Sequence, residues 1–170
     1  METWDAITSR RNVREFSDRA LSDQDLERIL EAGRRAPSSR NWQPWDFIVV
    51  TDRDQLRELS QVWRGGGHIA HSAATVVVVV PALEPERRER ASYDVGQATL
   101  QMMVAAADMG VGSGHSAVGD QDRARKLLGF PEDHEAMIMI DFGYPADRPL
   151  APIKRPNRRP LDEVVHRGHW

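Results

Sequence analysis

Ser92–Met109 reads SYDVGQATLQMMVAAADM and forms a long helix of an unusual kind. Ala98, Leu100, Met102, Met103, Val104, Ala105, Ala106, Ala107 and Met109 leave almost no polar face in its second half. A helix that is apolar all round must be buried all round. One core of a 170-residue chain can hardly surround it, so this stretch implies a subunit interface.

The segments on either side of this helix set the fold class. Thr75–Val80 (TVVVVV) shows no polar alternation and reads as a central strand buried on both faces. Trp45–Thr51 (WDFIVVT) is rich in β-branched and aromatic residues, and Ala136–Gly143 (AMIMIDFG) makes a third strand closed by Tyr144-Pro145. Ser22 and Asp25 form a capping pattern, with Leu21 and Leu26 in staple positions, ahead of a helix that Pro37 ends. A short helix around Trp4 and Ile7 starts at Thr3 as N-cap. Asp52 caps another helix, with Gln55 in its first turn, and Asp120 opens a further one through Leu128. Gly65-Gly66-Gly67 reads as a mobile loop. Pro145, Pro149, Pro152, Pro156 and Pro160 make the C-terminal segment an extended arm that wraps a partner subunit. The order α-β-α-β-α-α-β plus a tail is an α+β fold, with helices packed on a sheet of mixed direction. Residues 1–170 are expected to form one domain.

Composition narrows the function. Charged residues are 29% and mixed in sign, and the net charge is −3, against both whole-chain disorder and a strongly basic nucleic-acid binder. The absence of cysteine excludes a disulfide scaffold, a thiolate metal site and a cysteine nucleophile, and fits a cytoplasmic setting. Met1–Arg11 has no apolar core of signal-peptide length, and the Thr75–Leu83 run is too short to span a bilayer, so no membrane association is expected.

Several motifs have a bland reading beside the sharp one. Gly114-His115-Ser116-Ala117-Val118-Gly119 resembles a nucleophile elbow with one residue too many, and a helix and turn precede it where an elbow needs a strand. The glycines at 110, 112 and 114 also follow a helix, which makes a dinucleotide fingerprint poor. His68 with His71, and His166 with His169, are spaced as metal ligands can be, but no third ligand accompanies them; surface or loop histidine is the simpler reading, and no metal is expected. Arg10, Arg11 and Arg14 crowd three guanidinium groups around Asn12, and Arg10 and Arg14 project together if helical. They would repel unless a polyanion such as a phosphate monoester lies among them; a solvated basic turn is the alternative. Ala36–Trp45 (APSSRNWQPW) packs hydroxyls, amides and indoles between prolines, a content suited to reading the edge of a heterocycle.

Together these blocks resemble the nitroreductase family of flavin enzymes over nearly the whole chain. The resemblance rests on Arg10–Phe16 (RRNVREF), Ala36–Trp45, the Ala-rich helix running into Met109–Ser113 (MGVGS), Phe142–Pro145 (FGYP) and Arg158–Val165 (RRPLDEVV). It implies an FMN-binding homodimer with two sites at the subunit interface. Arg10, Arg11, Asn12 and Arg14 would hold the FMN phosphate and ribityl chain, and Asn12 stands where the family usually has serine. Pro37, Ser38, Ser39, Asn41 and Gln43 would lie along the flavin from the other subunit, with Arg40 in reach of flavin or substrate. His115, Ser116, Ala117 and Val118 would face the ring edge near N5, and Arg158, beside Arg159, would complete the phosphate site. The implied chemistry is ping-pong hydride transfer from NADH or NADPH through FMN N5 to a small electron acceptor such as a nitroaromatic or quinone. Arg14 would supply an electrostatic role and no side chain a nucleophile. A non-catalytic flavin carrier or sensor, or a deazaflavin-dependent reductase, is the alternative. Ala82–Ala91 leaves no room for a long lid over the pocket.

Overall fold

The computed structural model describes residues 1–170. Ten elements follow in order: α1 Thr3–Ser9, α2 Asp23–Arg34, β1 Asp46–Val50, α3 Arg53–Leu59, β2 Ala74–Pro81, α4 Pro85–Asp108, β3 Gly112–Ser116, α5 Gln121–Leu128, β4 His134–Gly143 and α6 Leu161–Val164. Short 3-10 turns cover Ser39–Asn41 and Gly67–His71.

The strands form one sheet in the order β1-β2-β4-β3. Every neighbouring pair is antiparallel, which corrects the expected mixed direction. The reason is β4, which enters between β2 and β3 and opposes both. Parallel pairing is confined to one bridge, Asn12 to Ser113.

The valine run of β2 explains the layers. Its side chains alternate across the sheet. Val76, Val78 and Val80 join Ile29, Val95, Met102 and Met103 in one buried cluster under α2 and α4. Val77 and Val79 join Leu56, Leu59 and Ala124 in a second cluster under α3 and α5. Each buried valine contributes on the order of 1.5–3 kcal/mol, so a strand with no polar side must sit between two apolar layers. Gly33 lets α2 and α4 close up, because a Cβ there would meet Met102 Cε at 2.1 Å.

The caps form as the sequence implies. Ser22 Oγ accepts from Asp25 N, Asp52 Oδ1 from Gln55 N, and Asp120 Oδ1 from Arg123 N. Thr3 is the first residue of α1, not its cap; Glu2 takes that place. The Gly65–Gly67 stretch leads into the 3-10 turn instead of a long open loop.

Two further expectations are corrected. The long helix begins at Pro85, so only Ala82–Glu84 separate it from β2. Its apolar circumference is also divided. Met102 and Met103 pack into the chain's own core, whereas Leu100 is 51% exposed and Val104 half-buried. Beside them α1 exposes Trp4 (72%) and Ile7. Ile7, Arg10, Leu100, Val104 and Ala105 line a groove of about 530 Å3. The C-terminal arm is irregular apart from the single turn of α6, and residues 151–170 are exposed throughout. No helix is long and apolar enough to cross a membrane.

Candidate functional site

The basic segment is extended, not helical. Helix α1 stops at Ser9, Arg10 has extended backbone angles, and Val13 N donates to Ser113 O at 2.9 Å, fastening the segment along β3. Alternation along extended backbone puts Arg10, Asn12 and Arg14 on one side. It puts Arg11 on the other with Val13, which is buried. Arg11 therefore turns away from its neighbours and pairs with Asp147 at 2.7 Å and with Arg148 O at 2.9 Å. The hydrogen bond from Arg11, helped by one from the Arg148 backbone, holds the Asp147 carboxyl below the usual range. Neither Arg10 nor Arg14 has a carboxylate partner, although most other arginines of the chain's helices do.

The other wall is β3, which the sequence reading took for a turn after a helix. It brings His115 and Ser116 to the end of the sheet. His115 is half-buried, and burial together with the nearby Arg10 charge pushes its imidazole pKa down. It therefore stays neutral beside a guanidinium. Ala117 lies exposed just beyond the strand, and Val118 packs on the second core cluster.

The Pro37–Gln43 loop carries unusual backbone. Arg40, Asn41 and Gln43 have φ of 53°, 57° and 51°, in the left-handed region. Asparagine tolerates this readily, but arginine and glutamine do so at a cost of about 1–2 kcal/mol each. Strain of this kind persists only where neighbours hold it. Asp94, buried in α4, does so: its Oδ1 and Oδ2 accept from Ser39 N at 3.1 and 3.0 Å, and Oδ1 from Ser39 Oγ at 3.3 Å. Ser38 Oγ accepts from Gln43 N at 2.9 Å, and Gln43 Nε2 donates to Asn41 O at 3.0 Å. Asp94→Ala would strip Ser39 of its charged acceptor, at about 1.5–3 kcal/mol. The expected result is a melting temperature lower by roughly 3–12 °C. A thermal melt matching the native chain would show that Asp94 does not hold the loop.

Within one chain the candidate residues fall into three separate groups. Arg10, Asn12, Arg14, His115 and Ser116 meet along β3. No hydrogen bond joins them to Pro37, Ser38, Ser39, Asn41 or Gln43, which are tied to α4. Arg158 lies on the exposed arm, where its guanidinium donates to Asn157 O. His68 corrects the surface-histidine reading: it is buried and joins the first group through Arg14. Asp94 and Asp141 carried no sequence signal, because a lone acid in a helix or strand declares itself only through its partners, and the signal at His68 was its spacing from His71, which pointed elsewhere.

The sequence matches the model of the nitroreductase family over residues 7–67 and 60–144. The chain belongs to the nitroreductase family. It is 34% identical over 169 residues to a protein of Archaeoglobus fulgidus provisionally named an NADH dehydrogenase/NAD(P)H nitroreductase, covering 96% of each chain. It is 27% identical to an NADH dehydrogenase of Thermus thermophilus, covering 94% of this chain and 93% of that one. Among solved structures, an FMN-dependent nitroreductase of Clostridium difficile superposes with a TM-score of 0.85 at 24% identity, over 97% of this chain and 98% of that one. The solved structure thus shares the fold of this chain.

Proposed function

We propose that this chain is an FMN-dependent NAD(P)H oxidoreductase that works as a homodimer on a small electron acceptor. The observation that carries the reading is the row Arg10-Asn12-Arg14, with Asn12 and Arg14 exposed and Arg10 half-buried. It offers two guanidinium groups and an amide, none in a salt bridge and Arg14 resting only on the His68 ring, a donor set that suits a phosphate and the polar chain behind it. The names of relatives agree: one is an NADPH-flavin oxidoreductase of Vibrio harveyi, 25% identical over 99% of this chain.

The residues divide the work. Arg10 and Asn12 bind the phosphate end, with Arg11 bracing the segment from behind through Asp147. Arg158 and Arg159 reach the same phosphate only once the arm is seated. Arg14, which rests on His68, would turn outward to the bound cofactor, where its charge would favour electron-rich states of the ring, an interaction strong where water is excluded. His115 offers its side chain, and Ser116, Ala117 and Val118 their backbone, to the ring edge. Pro37, Ser38, Ser39, Asn41 and Gln43, with Arg40 beside them, serve the partner's site, because their own chain does not bring them to Arg10. The groove between α1 and α4 is the face on which the two chains meet. FMN, when bound, supplies hydride acceptance at N5 and donation to the acceptor. Reductant and acceptor occupy one open face in turn, since three residues between β2 and α4 build no lid. Nitroaromatics and quinones suit such a face, in a cytoplasmic setting.

The experiment is one anaerobic spectrum. The chain purified with FMN should be yellow, lose its colour on stoichiometric NADH or NADPH, and regain it with a quinone. A chain that retains no FMN sinks the reading. Bound flavin that neither pyridine nucleotide bleaches would leave a carrier or sensor in its place.

A further inference from the structure

Four side chains from four parts of the chain meet beneath β3. His68 Nδ1 lies 2.9 Å from Asp141 Oδ2. His68 Nε2 lies 3.3 Å from Ser116 Oγ and in close hydrogen-bond contact with the Arg14 guanidinium. His68, Ser116 and Asp141 are all buried, and Asp141 Oδ1 has no partner. The chain makes room for this cluster. Gly114 is the strand partner of Asp141, and a Cβ at 114 would stand 2.8 Å from Asp141 Oδ2. A side chain there and the carboxylate exclude one another.

The connectivity Ser116–His68–Asp141 is that of a hydrolytic triad, but the cluster cannot act as one. Ser116 is 1% exposed, so no acyl group reaches it. The nitrogen that would take the serine proton is already occupied by Arg14. An arginine only donates, so Nε2 must present its lone pair, which leaves the ring proton on Nδ1, given to Asp141.

Charge decides what the cluster does. Burial raises the Asp141 carboxyl pKa and outweighs the His68 hydrogen bond and the nearby charges of His68 and Arg14, which pull it down. An ionised carboxylate at that depth needs a cation beside it. With Arg14 turned inward, Arg14 is that cation and His68 is neutral. With Arg14 drawn outward to an anion, Nε2 is released. It can then take a proton from solvent and donate to Ser116 Oγ, while Nδ1–H stays on Asp141. One positive charge replaces another, and the carboxylate is never left alone.

We propose that His68 is the positioning residue of Arg14, and that binding an anion through Arg14 loads one proton onto His68 Nε2. This rests on the functional reading above, with FMN as the anion. The charged groups facing His68 are Arg14, from the segment after α1, and Asp141, from β4; Ser116 from β3 is neutral. The sign follows: a proton taken up on binding makes binding tighter at low pH, and the gain fades as pH rises.

The test compares FMN affinity in the native chain and in His68→Gln, by quenching of flavin fluorescence from about pH 5.5 to 9. Glutamine keeps an acceptor for Arg14 but cannot titrate. Protonation of the FMN phosphate and of His115 is common to both chains and cancels in the ratio. The native advantage should be largest at the acid end and shrink by up to about tenfold per pH unit before it levels. A constant ratio, with FMN bound by both chains, overturns the His68 assignment alone. A native chain that binds no FMN overturns the functional reading and this with it. Should His68→Gln not fold, nitrogen NMR of labelled histidine in the native chain decides. Nε2 should change from unprotonated to protonated when FMN is added near pH 6. An Nε2 unprotonated in both states overturns the proposal.

Discussion

Leu100→Glu is expected to run on a sizing column as a folded 19.2 kDa monomer and to retain no FMN. The position is half exposed on α4, so the chain's own core does not need the leucine. On the proposed dimer this face is covered, along with Trp4 and Ile7. A carboxylate there is stripped of water, and Arg10, the guanidinium that lines the same groove, is engaged by the cofactor phosphate on this reading. That costs about 3–5 kcal/mol, roughly a hundred- to several-thousand-fold in the dimer dissociation constant. FMN goes with it, because half of each site belongs to the other chain. Circular dichroism should remain native. A yellow dimer at native mass would remove the α1–α4 groove from the interface.

Met103→Glu, three residues on, is expected to fail differently, by not folding. Met103 is 1% exposed and sits in the cluster with Val78, Ile140 and Phe142. Removing a buried methionine alone costs about 2–5 kcal/mol, and an unpaired buried carboxylate adds several more. A chain of this size has a total stability of about 5–15 kcal/mol. Insoluble product, or loss of the far-ultraviolet helix signal, is the expected readout. A soluble chain with native circular dichroism would place Met103 outside the core. The two variants thus separate the two faces of one helix, by assembly in one case and by folding in the other.

The sequence showed α4 as apolar all round but could not say which residues face inward. That division depends on where α2 crosses it, and Gly33 against Met102 fixes the crossing only in three dimensions. The start of α4, Pro85–Arg90, was not legible because Glu86–Arg90 are all charged and exposed. They are held by local pairs such as Arg90 with Glu86 and by Arg88 with Glu135. By contrast, the valines of β2 and the caps at Ser22, Asp52 and Asp120 act over a few residues, and each was read at its position. Strand β3 was missed for a different reason. Gly112 and Gly114 are there because Val13 and Asp141 press on them, and close packing against glycine leaves no apolar alternation to read. The candidate site was half legible. Its arginines and its polar loop stood out by composition. Asp94, His68 and Asp141, which hold those residues in place, are single acids and a single imidazole whose meaning lies entirely in what they touch.

The arm after β4 has little to fold on within its own chain. Beyond Arg148 its one backbone hydrogen bond to the body is Ile153 N to Thr8 O, at 3.1 Å. Leu161, Val164, Val165 and Trp170 all stand in solvent. On the proposed dimer, these twenty residues without a core gain a fixed course on the surface that the other chain provides. Their order is then a bimolecular property. It follows mass action, so that dilution alone, with no change of temperature or solvent, should loosen the arm, release the cofactor it helps to hold, and lower the temperature at which the rest of the chain melts.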